Sequence, residues 1–218
     1  MNELPMLFST EMVQAILSGR KTQTRRIITN KQNLATLDEF AGKNGCDKLC
    51  SITPEHLLWV RETWQHTSIL NLHPSDNNYG YVYAADGQPW DTYVGWKWRP
   101  SIHMPKKAAR IWLLVKSVGV ERLNDISDED AVAEGIEQYG PFGEYKGSPH
   151  PAGGAMRYRA YQHAARAFQD IWSDIYGPES WEANPWVWVV KYSIVSTTGR
   201  PTGSQYAAIK KIINDKKQ

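Results

Sequence analysis

Apolar residues recur in short runs along this chain, and their spacing predicts a succession of brief elements. Thr10, then Glu11 to Ser18, then Gly19 reads as a capped helix with Val13, Ile16 and Leu17 on its buried side. Arg20 to Thr29 is β-branched and alternating, as a strand requires. Residues 31–56 read as a loop-rich insert, and Leu57 to Gln65 as a strand. Tyr79, Tyr81 and Tyr83 alternate ahead of an Asp86-Gly87 turn signal. Trp96 to Pro105 is aromatic, basic and broken by prolines, which predicts an ordered loop. Arg110 to Lys116 and Val118 to Leu123 are expected as two short strands.

Ser127 is placed to cap a helix running to about Glu134, with Asp130 in an approximate capping box and Gly135 as the stop. After a Gly/Pro-rich loop, Tyr158, Tyr161, Ala165, Phe168, Trp172 and Ile175 recur at steps of three and four. That stripe predicts a helix over Tyr158 to Tyr176 and belongs with the core. Trp186 to Val195 reads as a buried final strand, Ser196 to Gln205 as a polar linker. Tyr206 to Lys217 reads as a small basic helix with Ile209, Ile212 and Ile213 on one side. Many short strands with a few helices indicate an α+β domain built on a small β-barrel with helices packed on its flank. The expected boundaries are one domain over residues 1–195, with inserts near 31–56 and 136–156, and a linker and basic tail over 196–218.

Composition narrows the class. The 218 residues are 41% hydrophobic and include ten Trp, eleven Tyr and four Phe, which excludes a disordered chain. Apolar runs such as Ile111 to Val115 stop at five residues, far short of a membrane span. Met1 to Phe8 carries Glu3 and no long apolar stretch, so no secretory signal is expected. Two cysteines do not make a disulfide framework, and a reducing cytoplasm is the expected compartment.

The formal net charge of +2 conceals segregation. Gly19 to Gln32 holds five cations and no acid, Thr92 to Val120 six cations and no acid, and Glu121 to Glu144 eight acids against Arg122. Such blocks build a local positive field suited to an anionic or nucleotide ligand, or they are solvated faces. In Arg20-Lys21-Thr22-Gln23-Thr24-Arg25-Arg26, four cations crowd one helix-to-strand junction. Positive neighbours disfavour a further positive charge, so Lys21 is a candidate base, with Thr24 a hydroxyl nucleophile nearby. Positions three apart in a regular strand face opposite sides, so the two meet only if the chain turns between them. A basic strand contacting phosphates is the competing reading.

Gly19-x-Lys21-x-x-x-x-Arg26 resembles the signature of the ASCH domain, a PUA-like β-barrel family associated with RNA. Most members carry Glu at the position of Thr24. The run Gly19-Arg20-Lys21-Thr22-Gln23-Thr24 is instead similar to that of the small bacterial members that hydrolyse N4-acetylcytidine. Ile126 to Gly135 resembles the helix that carries their catalytic Glu, with Glu134 at the matching place. Pro5 to Phe8, Leu58 to Trp64, Trp98 to Pro105 and Asn184 to Val189 resemble the larger ASCH-like proteins of phages and prophages. The resemblance covers about residues 5 to 192.

This resemblance implies an amidohydrolase. Thr24 would attack the acyl carbonyl of an N4-acylcytosine, Lys21 would take its proton, and Glu134 would position Lys21 or pass a proton to the leaving amine. Arg26 or a backbone N–H would stabilise the oxyanion. Trp59, Tyr83 and Trp98 are candidates for stacking on a nucleobase, and Arg61, Glu62, Ser101 and His103 for polar contacts. Ordinary barrel packing is the alternative for each aromatic, and a salt bridge to a nearby cation the alternative for Glu62. The expected partner is a nucleoside or modified nucleobase, with RNA as a second candidate. A binding module without turnover and a ribonuclease remain open alternatives.

No metal and no cofactor are expected. Cys46, Cys50 and His56 supply three ligands where a structural zinc site needs four. The glycines of the 140–154 loop lack the following Lys-Ser/Thr of a phosphate-binding loop. The lysines of the tail read as a solvated terminus or as nucleic-acid contacts.

Overall fold

The computed structural model describes residues 2–29, 50–66, 80–87, 97–140, 142–152 and 155–215. Most of the insert at 31–56, together with Cys46, Tyr79, Trp96 and the last lysines, lies outside the described residues. The fold is mixed α+β. The strands are β1 (Glu3–Leu7), β2 (Gln23–Ile27), β3 (Leu57–Arg61), β4 (Trp64–His66), β5 (Tyr81–Tyr83), β6 (Trp112–Arg122), β7 (Gln138–Tyr139), β8 (Glu144–Ala152), β9 (Ala155–Tyr161) and β10 (Trp186–Ser196). The helices are α1 (Thr10–Leu17), α2 (Asp128–Ala133), α3 (Ala164–Tyr176), α4 (Pro178–Glu182) and α5 (Gly203–Asp215). The principal sheet has the order β1-β3-β6-β10-β2. Among the described residues no further pairing closes it into a barrel. None of the described helices is long and apolar enough to cross a membrane.

The chain divides into two compact units, Met1–Leu17 with Pro54–Val115 and Ser193–Gln218, and Ser18–Thr53 with Lys116–Tyr192. In the first, β1 runs parallel to β3, and β4 pairs antiparallel with β5. Its core gathers Leu57, Trp59, Trp64, Tyr83, Met104, Trp112 and Ile209, with Tyr206 packed against it. Ser9, one residue before the expected cap, accepts from the Met12 N–H at α1. Val13 and Ile16 are buried as expected, but Leu17 is 37% exposed because the helix ends there. The expected strand over Leu57 to Gln65 is two strands, interrupted where the Glu62 side chain turns into the interior to meet Arg110. The last helix starts earlier than the apolar spacing indicates, at Gly203.

The two strands expected over Arg110 to Lys116 and Val118 to Leu123 form one continuous β6, which runs through Ser117 without a break into the second unit. The helix expected from Tyr158 begins only at Ala164, and residues 155–161 form β9, paired with β8. Tyr158 is 39% exposed and Ile175 52%, so the stripe is buried only around Phe168 and Trp172. The Gly/Pro-rich stretch thought to be a loop supplies β8. Pro149 and Pro151 lack an N–H to donate, and β7 spans only two residues beside β8, leaving those prolines on a free edge. The core here brings Leu123, Ile126, Ala131, Phe168, Trp172, Val187 and Val189 together.

One contact in this core governs where the site lies. The Ser127 hydroxyl accepts from the Asp130 N–H at 3.1 Å and caps α2 as expected. Asp128 on its first turn accepts from the Ala165 N–H at 2.8 Å and so caps α3 from outside. That backbone bond, helped by His163, holds the Asp128 carboxyl below its ordinary range. The two helices are thereby tied together, and Glu134 sits at the C-terminal end of α2.

Candidate active site

Gly19 adopts φ +77°, a left-handed conformation that glycine takes without a Cβ clash, and the chain turns there from α1 toward β2. The next residues are tied to the end of α2. The Arg20 guanidinium donates to the Gly135 carbonyl at 2.8 Å, and the Thr22 N–H donates to the Ala133 carbonyl at 2.8 Å. Lys21, between them, is drawn inward.

Lys21 is 1% exposed. Its Nζ donates to Glu134 Oε2 at 2.8 Å and to the Glu134 carbonyl oxygen at 2.7 Å. Burial pushes the Lys21 ammonium below its ordinary pKa; Glu134 opposes that shift, while the charges of Arg26 and Arg25 add to it. A lysine shifted in this direction gives up its proton more readily than a solvated one.

Gln23, Arg25 and Ile27 share one face of β2, by the alternation of a strand. This face meets α2 and the apolar core below it. Gln23 Nε2 donates to the Asp130 carbonyl at 3.1 Å, and Ile27 packs into the core cluster. Arg25 Nη2 contacts Glu121 at 2.8 Å and Asp130 at 2.9 Å, and its Nη1 contacts Glu134 at 3.2 Å. Burial works against the Arg25 charge, but these carboxylates outweigh it and hold its pKa up. Asp130 therefore spends its carboxylate on Arg25, not on the reciprocal half of a capping box. Sequence reasoning singled out neither Arg25 nor Glu121. The signal was the two-residue period of Lys21, Gln23 and Arg25.

Thr24 and Arg26 occupy the other face of β2, in register with Val190 and Trp188 of β10. Thr24 is 1% exposed, and Lys21 Nζ directs its hydrogen bonds to Glu134 and not to the Thr24 hydroxyl. The junction thus brings Lys21 and Glu134 into contact and leaves Thr24 beside them on the opposite face. Tyr192, on the same face as Thr24, donates from its backbone N–H to the Thr22 carbonyl at 2.9 Å. Burial and the Glu134 charge raise the Tyr192 pKa, and Arg26 counteracts. Glu134 therefore acts electrostatically on groups of both faces at the start of β2.

The remaining candidates belong to the first unit. Glu62, 1% exposed, receives Arg110 bidentately at 3.0 and 2.9 Å. Burial raises the Glu62 pKa and Arg110 works against that rise. Arg110 also reaches Asp86 at 2.8 Å and lies 4.0 Å from the Tyr83 ring centroid. Tyr83 donates its hydroxyl to the Ala108 carbonyl at 2.6 Å. Trp59 is buried with the Arg61 guanidinium 5.5 Å from its ring centroid, and Arg61 donates to the Ile102 carbonyl. Trp98 is half-buried, and Ser101 and His103 stand on a 3-10 turn with His103 exposed. The rings of Tyr83 and Trp59 are thus engaged by arginines and core contacts in this unit.

Among the described residues no group of three or more His, Cys, Asp and Glu side chains is arranged to hold a metal ion. No protein-family model, no curated protein and no solved structure matches this chain.

Proposed function

We propose that this chain is an ASCH-type, PUA-like amidohydrolase that removes the acyl group from an N4-acylated cytosine base or nucleoside. The observation that carries the reading is Lys21, a buried lysine of lowered pKa held by Glu134 and three residues ahead of Thr24. In the reaction, neutral Lys21 Nζ accepts the Thr24 hydroxyl proton as Oγ1 forms a bond to the acyl carbon. The tetrahedral intermediate collapses with cleavage of the C–N4 bond, and the proton leaves Lys21 for the exocyclic amine. Water then hydrolyses the Thr24 ester with the same base. Arg26 lies on the Thr24 face and is suited to the oxyanion. The 1% exposure of Thr24 requires the chain covering it to open for substrate. A cytoplasmic, phage- or prophage-type setting belongs to the same proposal. The test is the loss of N4-acetylcytidine absorbance on incubation with the protein, with Thr24→Ala and Lys21→Ala as controls.

A second reading is a module that binds RNA or a modified nucleotide without turnover. It is favoured by Thr24 lying across the strand from the Lys21–Glu134 contact and by the exposed cations Lys97, Arg99 and Lys107. Binding of single-stranded RNA that weakens with salt, with no turnover of nucleosides, selects it.

A further inference from the structure

Glu134 does not serve Lys21 alone. Its Oε2 faces Lys21 at 2.8 Å and its Oε1 faces Arg25 Nη1 at 3.2 Å. The geometry points to Arg25 as a positioning residue that holds Oε1 of Glu134, leaves Oε2 to Lys21, and is itself set in place by Asp130 and Glu121. The purpose of this arrangement rests on the amidohydrolase reading, but its geometry and its test do not.

A carboxylate with one buried cation beside it is free to turn and to offer that cation both oxygens. With Arg25 on one oxygen, the Glu134 carboxylate has a fixed plane and part of its charge is already answered. Lys21 then feels a weaker counter-charge in a site from which water is withdrawn. A guanidinium stays protonated wherever the protein is folded, so Arg25 keeps its hold on Oε1 while Lys21 titrates. Lysine at position 25 lacks the fork needed to span Glu134 and Asp130 together.

The surroundings of Arg25 fit this task. Two carboxylates, Glu121 from β6 and Asp130 from α2, grip Nη2 and aim Nη1 at Glu134. The orientation leaves Arg25 Nε buried with no hydrogen-bond partner. An unsatisfied buried donor of this kind is costly, and the ion contacts offset it. The other charged or titratable groups facing the cluster are Arg26 from β2, and Lys191, 3.9 Å from Asp130, and the Tyr192 hydroxyl from β10.

The experiment is a titration of the Lys21 side chain by NMR in the full chain labelled at lysine, comparing the natural protein with Arg25→Gln and Arg25→Lys. Arg25→Gln returns both Glu134 oxygens to Lys21, so its midpoint rises by about one pH unit, a tenfold gain in proton affinity. Arg25→Lys, which keeps a buried cation among the three carboxylates, raises it by about half as much. If Arg25 only supports the fold, every folded variant keeps the Lys21 midpoint of the natural protein, and that result overturns the inference. Should Arg25→Gln not fold, the Arg25→Lys midpoint decides alone. Failure of the natural protein to turn over N4-acetylcytidine sinks the amidohydrolase reading and leaves this titration intact.

Discussion

Lys21 Nζ and Glu134 Oε2 lie 2.8 Å apart across 113 positions of sequence. The contact exists because the residues on either side of Lys21 are bound by their own hydrogen bonds to the carbonyls at the end of α2. Neither member has an alternative in water, since the two side chains are 1% and 4% exposed. The pair is consequently a stability element, and under the proposed function a proton-transfer element as well.

Removing either member does not cost the same. Lys21→Met leaves Glu134 with Arg25, whereas Glu134→Gln leaves Lys21 buried with no carboxylate of its own, because Asp130 and Glu121 are engaged by Arg25. Glu134→Gln is expected to cost about 3–5 kcal/mol in urea unfolding and Lys21→Met less. Equal losses, or the reverse order, contradict the assigned contacts.

The Glu62–Arg110 pair of the first unit obeys the same rule. Arg110→Met strands a carboxylate that is 1% exposed and is expected to cost about 3–5 kcal/mol. The double variant Glu62→Gln with Arg110→Met recovers a large part of that loss. A double-mutant cycle with no coupling between the two positions speaks against it.

Glu3 sets an acid limb of stability. Burial raises its pKa, but hydrogen bonds from Lys106, Tyr206 and Arg200 outweigh that and lower it from 4.5 to about 2. Because the folded pKa lies below the unfolded one, this contribution is full above about pH 4.5 and is lost as pH falls through about 2. The stability difference between the natural chain and Glu3→Gln should shrink over that window. A difference that stays constant from pH 6 to about pH 2 rules the linkage out.

The elements that could be read in the sequence were those with local chemistry. Ser127 and Gly135 mark α2 because capping is a matter of neighbouring residues. The Tyr158 stripe misled because Tyr158 and Tyr161 continue the helical spacing of Phe168 and Trp172 by coincidence. The strand that contains them is fixed by its partner β8, whose prolines disguise it. The two strands expected on either side of Ser117 are one because β6 runs on through that residue, and a single polar residue in an apolar run does not end a strand. At the site, Lys21 and Thr24 were legible as an amine among crowded cations and a nearby hydroxyl, and Glu134 came from a motif resemblance. The grip of Glu121 and Asp130 on Arg25 joins β2 to residues 96 and 105 positions later, and no local pattern encodes such a junction.

Turnover of N4-acetylcytidine, followed by absorbance, tests the central claim most directly. The account predicts that the natural protein deacetylates the nucleoside. It predicts that Thr24→Ala abolishes turnover and that Lys21→Ala lowers it by about 10²–10⁴-fold while each variant stays folded. Turnover by Thr24→Ala at the natural rate, or none by the natural protein on free nucleosides and acetylated RNA alike, contradicts it.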